Sequence, residues 1–149
     1  MAQPTIHVTV NVPNRQLFEG DVYYASVPGK EGQFGVLPGH ELIMSLTKKG
    51  GVCTLYLDEA RNEKFEILVY DGIAQVIDDN LSILAGLGKI TERIHLDEMQ
   101  QRLESQKTLV SDLEGKAQLD EVDGQLRSEL EQAKRRLDWY QIQVDWASK

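Results

Sequence analysis

A chain of 149 residues with 41% hydrophobic and 27% charged side chains has the composition of a globular protein, large enough for one small core and an appendage. Its net charge of -8 argues against nucleic acid or an anionic membrane surface as a partner, because both reward a concentrated basic patch. No apolar run approaches the roughly 20 residues that span a bilayer, and MAQPTIHV lacks the features of a secretory leader, so the expected place is the compartment of synthesis.

Residues 6–12, IHVTVNV, alternate strictly, with Ile6, Val8, Val10 and Val12 on one face and His7, Thr9 and Asn11 on the other. That pattern predicts a half-buried antiparallel strand, ended by Pro13-Asn14. Short β-like runs recur over 22–27, 34–37, 42–46, 52–57, 65–70, 73–77 and 81–85, separated by turn residues such as Lys48-Lys49-Gly50-Gly51 and Asp78-Asp79-Asn80. Regular short strands of this kind predict an all-β sandwich over residues 1–90. The single cysteine, Cys53, lies inside one of these runs and reads as a small core residue in a reducing compartment.

Past Gly88 the apolar period changes from two to about 3.6. Asp97, followed three residues later by Gln100, predicts an N-cap with a capping-box partner. Met99, Leu103, Val110 and Leu113 then form one stripe, with Gln106 in the missing core step. A break is expected within 114–124, around Gly115 and Gly124, and the stripe from Val122 to Ala147 predicts a second helix. Two amphipathic helices with a short polar break most simply bury their stripes against each other, so residues 91–149 are expected to form an antiparallel α-helical hairpin. Basic and acidic residues divide evenly before and after Asp97, so periodicity alone marks the boundary.

The stretch 29–40, GKEGQFGVLPGH, holds the densest turn chemistry: Gly29, Gly32 and Gly35 lead through a short apolar run into Pro38-Gly39-His40. Pro38-Gly39 suits a type II turn, and the three earlier glycines read as turn-forming. EGxxGxLPGH, followed by the apolar 42–46 and a KxG turn, resembles the epsilon subunit of F-type ATP synthases. So do Phe18-Glu19-Gly20 upstream and FEILVYDG at 65–72, where the family has a strand ending in a glycine turn.

The resemblance implies a rotor component that joins gamma to the c-subunit ring at the cytoplasmic face of the plasma membrane, without entering the bilayer. It implies that Glu31, Gln33 and His40 contact the c ring, with Gln33 standing where relatives often carry an acid. It also implies that the C-terminal helices either fold against the sandwich or extend beside gamma into the alpha/beta catalytic hexamer and block hydrolysis. Lys134, Arg135 and Arg136 would then meet acidic surfaces; otherwise they form a solvated face paired with Glu131 and Asp138. Trp139, Ile142 and Trp146 widen the apolar face of the last helix, either to pack on the sandwich or to meet a partner.

Some bacterial relatives bind ATP on the folded hairpin. Here Leu96-Asp97 matches the start of that motif and Arg136 one of its arginines, but Gln100 and Gln132 replace two guanidinium groups. Those groups are the bidentate donors that phosphate oxygens favour, so no nucleotide cofactor is expected. No nucleophile, metal-ligand or phosphate-loop motif occurs, and His7, His40 and His95 have no ligand spacing. The expectation is a non-enzymatic subunit without metal; the competing class is a free-standing β-sandwich recognition module with a coiled-coil tail.

Overall fold

The computed structural model describes residues 4–39, 41–119 and 124–149. It divides into two units, one ending at Arg93 and one beginning at Ile94.

The first unit contains eight strands: β1 (Ile6–Val12), β2 (Arg15–Val22), β3 (Tyr24–Gly29), β4 (Gly32–Val36), β5 (Leu42–Ser45), β6 (Gly51–Tyr56), β7 (Lys64–Ile77) and β8 (Asn80–Ile90). Their ladder runs β2-β1-β8-β7-β6-β3-β4, with β5 attached to β7. Strand β7 explains how one ladder makes two layers. One of its edges pairs with β8 along its length, while the other pairs with β6 through residues 64–69 and with β5 through 73–76. Between those halves Asp71 and Gly72 take positive φ, 57° and 132°, and the strand turns a corner. The expected glycine turn at Gly72 is therefore a bend inside one continuous strand, and the runs 65–70 and 73–77 are its two arms.

Alternation places Val8, Val10, Ala74, Val76, Leu81 and Ile83 on the inner face of one layer. Ala25, Val27, Val36, Cys53, Leu55, Ile67 and Val69 line the other, and together they form a single buried core. Burial pushes the Cys53 thiol up to about 12, so it stays a neutral core group. Strand β1 pairs antiparallel with β2 but parallel with β8, so its antiparallel reading covers one edge only.

Strand β2 is absent from the sequence expectation because its pattern is broken by a bulge. Val10 pairs with Phe18 and Asn11 with Gln16, leaving Leu17 as the extra residue. The local bend lets the adjacent Leu17 and Phe18 both reach the core, which no strict alternation would show.

The second unit is a pair of helices, α1 (Leu96–Leu119) and α2 (Gly124–Ala147). The His95 carbonyl accepts the Met99 N–H at 3.0 Å, so the helix begins one residue ahead of Asp97. Asp97 is thus not the cap but lies in the first turn with Glu98, where negative charge complements the helix dipole. Gly115 lies inside α1, with open space where a Cβ would stand; the break falls after it. Val122 lies outside the described residues.

The helices share a seam of Val110, Leu113 and Ala133, flanked by Leu126, Leu130 and Leu137. Gln106 is buried there, and its Nε2 donates to the Ala133 carbonyl at 2.9 Å. The polar step in the stripe is a cross-link between the helices rather than a gap.

Candidate subunit-contact surface

Glu31 and Lys30 form the two-residue tip of the β3–β4 hairpin, closed by the pair Gly29 and Gly32. Glu31 is exposed at this tip, and the Lys30 N–H donates to the Ser45 carbonyl at 3.0 Å, holding the tip beside the end of β5. Of the three glycines expected in turns, Gly32 alone has positive φ, 127°. Gly29 and Gly35 are strand residues, and Gly35 is needed for a close approach: a Cβ there would meet the Tyr24 hydroxyl at 2.1 Å.

Gln33 is exposed but its side chain is bonded back onto the sandwich. Its Nε2 donates to Ser26 Oγ at 2.7 Å and to the Val52 carbonyl at 3.1 Å, tying β4 to β3 and β6 across the outer face. Pro38 and Gly39 form a separate turn after Leu37, with Gly39 at φ 91°. The Gly39 N–H donates to Asp79 Oδ1 at 2.6 Å, so this turn rests on the β7–β8 connection. Glu31 and the Pro38-Gly39 turn therefore lean on different parts of the sandwich. His40 lies outside the described residues.

On the helices Lys134, Arg135 and Arg136 are exposed. Lys134 Nζ faces Glu114 Oε1 of α1 at 3.9 Å, an interhelical pair. Trp139 is buried, and Ile142 and Trp146 are half-buried; Lys149 Nζ lies 5.9 Å from the Trp146 ring centre. Asp97 and Arg136, the two matches to a nucleotide motif, line different hollows. Asp97 borders a shallow one with Gln100, Gln101 and Glu104, while Arg136 borders a groove of about 270 Å³ with Gln106, Leu109, Leu113 and Gln132. Among the described residues no group of His, Cys, Asp and Glu could hold a metal ion, and no helix is long and apolar enough to cross a membrane.

The outer face of the layer formed by β5, β7, β8, β1 and β2 carries a further feature. Ile43 is 67% exposed and Leu84 53%, with Ile73 and Ile77 also exposed. Register places Ile73 beside Leu84, and Ile43 beside Gln75 in the next row. The result is a band of large aliphatic side chains on the solvent side of a rigid sheet. At the β1–β2 side lies His7, whose Nδ1 is 2.9 Å from Asp21 Oδ1 and whose Nε2 is 3.8 Å from Glu19 Oε2.

The family model for the β-sandwich domain of the ATP synthase delta/epsilon chain matches residues 5–87. The chain belongs to this family. Among named epsilon chains, that of Rhodopseudomonas palustris strain TIE-1 is 29% identical over 136 residues, covering 91% of this chain and 89% of that one. The Maricaulis maris epsilon chain is 36% identical over 80 residues, 54% of this chain and 57% of that one. The fold also resembles chains in two solved assemblies. One is the Euglena gracilis mitochondrial ATP synthase OSCP/F1/c-ring structure, with TM-score 0.57 and 19% identity, covering 88% of this chain and 76% of that one. The other is the Tetrahymena thermophila mitochondrial ATP synthase central stalk/c-ring structure, with TM-score 0.51 and 14% identity, covering 93% and 97%.

Sequence reasoning missed the exposed aliphatic face of this delta/epsilon chain. The signal was present, because Leu42-Ile43-Met44 and Ile83-Leu84-Ala85 are apolar at both parities, whereas a strand with one solvated face alternates. Consecutive apolar residues read as a buried strand until the topology shows that nothing within the sandwich covers the second face.

Proposed function

We propose that this chain is the epsilon subunit of a proton-translocating F-type ATP synthase, a non-catalytic central-stalk component that joins the gamma subunit to the c-subunit ring. In this reading its C-terminal helices restrain ATP hydrolysis by extending into the alpha/beta hexamer, and the protein works peripherally at the cytoplasmic face of the plasma membrane. Family membership, the epsilon-chain relatives and the fold shared with chains of the two ATP synthase assemblies support it.

The observation that carries the reading is the aliphatic face of Ile43, Ile73, Ile77 and Leu84. Each such side chain contributes roughly 1.5 to 3 kcal/mol when fully buried, and a contiguous apolar face on a rigid sheet marks a surface made for a partner. Gamma takes this face, and the Glu31 tip with the Pro38-Gly39 turn meets the c ring. The test is co-elution of the purified chain with gamma. Wild type should co-migrate, and Ile43→Glu combined with Leu84→Glu should abolish co-migration while leaving the circular dichroism unchanged. A wild-type chain that ignores gamma overturns the reading. For the ring contact Glu31→Lys is the clean variant, because changing Gln33 also breaks its bonds to Ser26 and Val52.

A further inference from the structure

Strands β7 and β8 are joined by a two-residue hairpin: Ile77 pairs with Asn80, and Asp78 and Asp79 take positive φ, 51° and 60°. This is the geometry of a type I′ turn, whose second position strongly favours glycine because a left-handed backbone costs any residue with a Cβ. Here that position holds Asp79, so the turn itself does not account for the residue. Its side-chain acceptor does, while its backbone fixes where that acceptor stands. The Asp79 carbonyl accepts the His7 N–H at 2.9 Å, fixing the turn to β1. Its Oδ1 accepts the Gly39 N–H at 2.6 Å, 40 residues away in sequence.

The segment that receives this bond has little else to hold it. Leu37 is 43% exposed, nothing beyond its chain neighbours lies within 4 Å of where a Gly39 Cβ would stand, and among the described residues between Val36 and Leu42 no ladder partner appears. Among the described residues of 37–41, the hydrogen bond that leaves the segment is the one to Asp79. A charge-assisted bond to a residue itself pinned on two strands is therefore what sets the turn's orientation on the sandwich.

We propose that Asp79 is the positioning residue for the Pro38-Gly39 turn, holding it rigid against the sandwich so that the turn transmits the rotor contact. The proposal rests on the reading that this region meets the c ring. Asp79→Gly separates the tether from ordinary stability, because glycine suits the type I′ turn while removing the acceptor. Asp79→Asn retains both an acceptor oxygen and tolerance of positive φ. Asp78→Gly is the neighbouring control, altering the same turn and charge without touching the bond.

In the isolated full-length chain, the Gly39 amide should exchange with solvent roughly tenfold faster in Asp79→Gly, the factor expected for loss of one charge-assisted bond. Melting temperature should not fall. In membranes carrying the full synthase, Asp79→Gly should lose proton pumping relative to ATP hydrolysed, Asp79→Asn should restore it, and Asp78→Gly should match wild type. Wild-type pumping in Asp79→Gly, or equal impairment in Asp79→Asn, overturns the proposal. A disulfide from Glu31→Cys to a cysteine introduced on the facing surface of the ring distinguishes the failures. If that cross-link forms while Asp79→Gly pumps normally, the tether is refuted and the ring contact stands; if it never forms, the ring contact is refuted too.

Discussion

At Gly72 the backbone has φ 132°, and a Cβ built there would lie 2.0 Å from the Leu84 carbonyl oxygen and 2.8 Å from the Ala85 Cα. Both obstacles are backbone of the paired strand, so neither can rotate away. Gly72→Ala should therefore destabilise by more than about 4 kcal/mol, the range reserved for strain at a special backbone position in a core. Gly39 has φ 91° but open space around it, so Gly39→Ala should cost only the left-handed penalty of about 1 to 2 kcal/mol. Urea denaturation of the two variants checks the contrast; equal midpoints would mean the β7 corner yields. His7 makes a different prediction. The hydrogen bond that its ring donates to the Asp21 carboxylate, helped by the charges of Asp21 and Glu19, raises its pKa above the ordinary 6.5. A raised folded value stabilises the protein fully below the unfolded pKa, and that contribution disappears as pH rises through the folded value. Following the ring protons by NMR titration, Asp21→Asn should lower the His7 midpoint, and an unmoved midpoint would discount the pair.

The elements differ in how much of them could be read from residues. Strand β1 was legible because Ile6, Val8 and Val10 alternate without interruption, while β2 was hidden by the Leu17 bulge. The joined arms of β7 were hidden too, since a Gly after an Asp reads as a turn, and only the shared pairing with β8 shows that the chain bends without reversing. The long helices were legible from their stripes. The role of Gln106 was not, because a glutamine at a core step looks like a defect until the facing Ala133 carbonyl is known. The stretch 29–40 was legible as turn chemistry but not as geometry: Glu31 and Gly39 are eight residues apart, yet β4 carries the chain between supports on Ser45 and Asp79. The helical pair also bears on nucleotide binding. Asp97 and Arg136 line separate hollows, and Gln132 stands beside Arg136 in its groove. Without convergent guanidinium groups a triphosphate gains little there, so the isolated chain should not bind ATP at millimolar concentration. Saturable heat in a calorimetric titration would contradict this. If it appears, Gln100→Arg with Gln132→Arg should strengthen it.

For the molecule as a whole, the sandwich core draws every member from residues 6–85, before the helical unit begins at Ile94. A chain truncated after Ile94 should therefore fold and, on the reading proposed above, still bind gamma. Its circular dichroism should lose the helical signal and keep a cooperative melt. The helical unit has a seam of its own in Val110, Leu113, Ala133 and their flanking leucines, so it can remain a hairpin or rearrange as a unit. One group weighs against the described arrangement: Gln143 is 1% exposed, and its Oε1 has no hydrogen-bond partner among the described residues. A buried unpaired acceptor costs about 1 to 3 kcal/mol, recovered in any state that gives it water or a partner. A switch between two states needs such a small gap, since a partner shifts an equilibrium only by its differential affinity. If the extended state is the inhibitory one, Gln143→Leu should favour the described arrangement and weaken inhibition, while truncation should remove inhibition entirely. The measurement is ATPase rate in the reassembled complex, with both variants expected above wild type and the truncation highest. An unaltered rate on truncation would end the inhibitory role and leave the stalk-linking role intact, whereas loss of gamma binding would show that the helices belong to the docking surface itself.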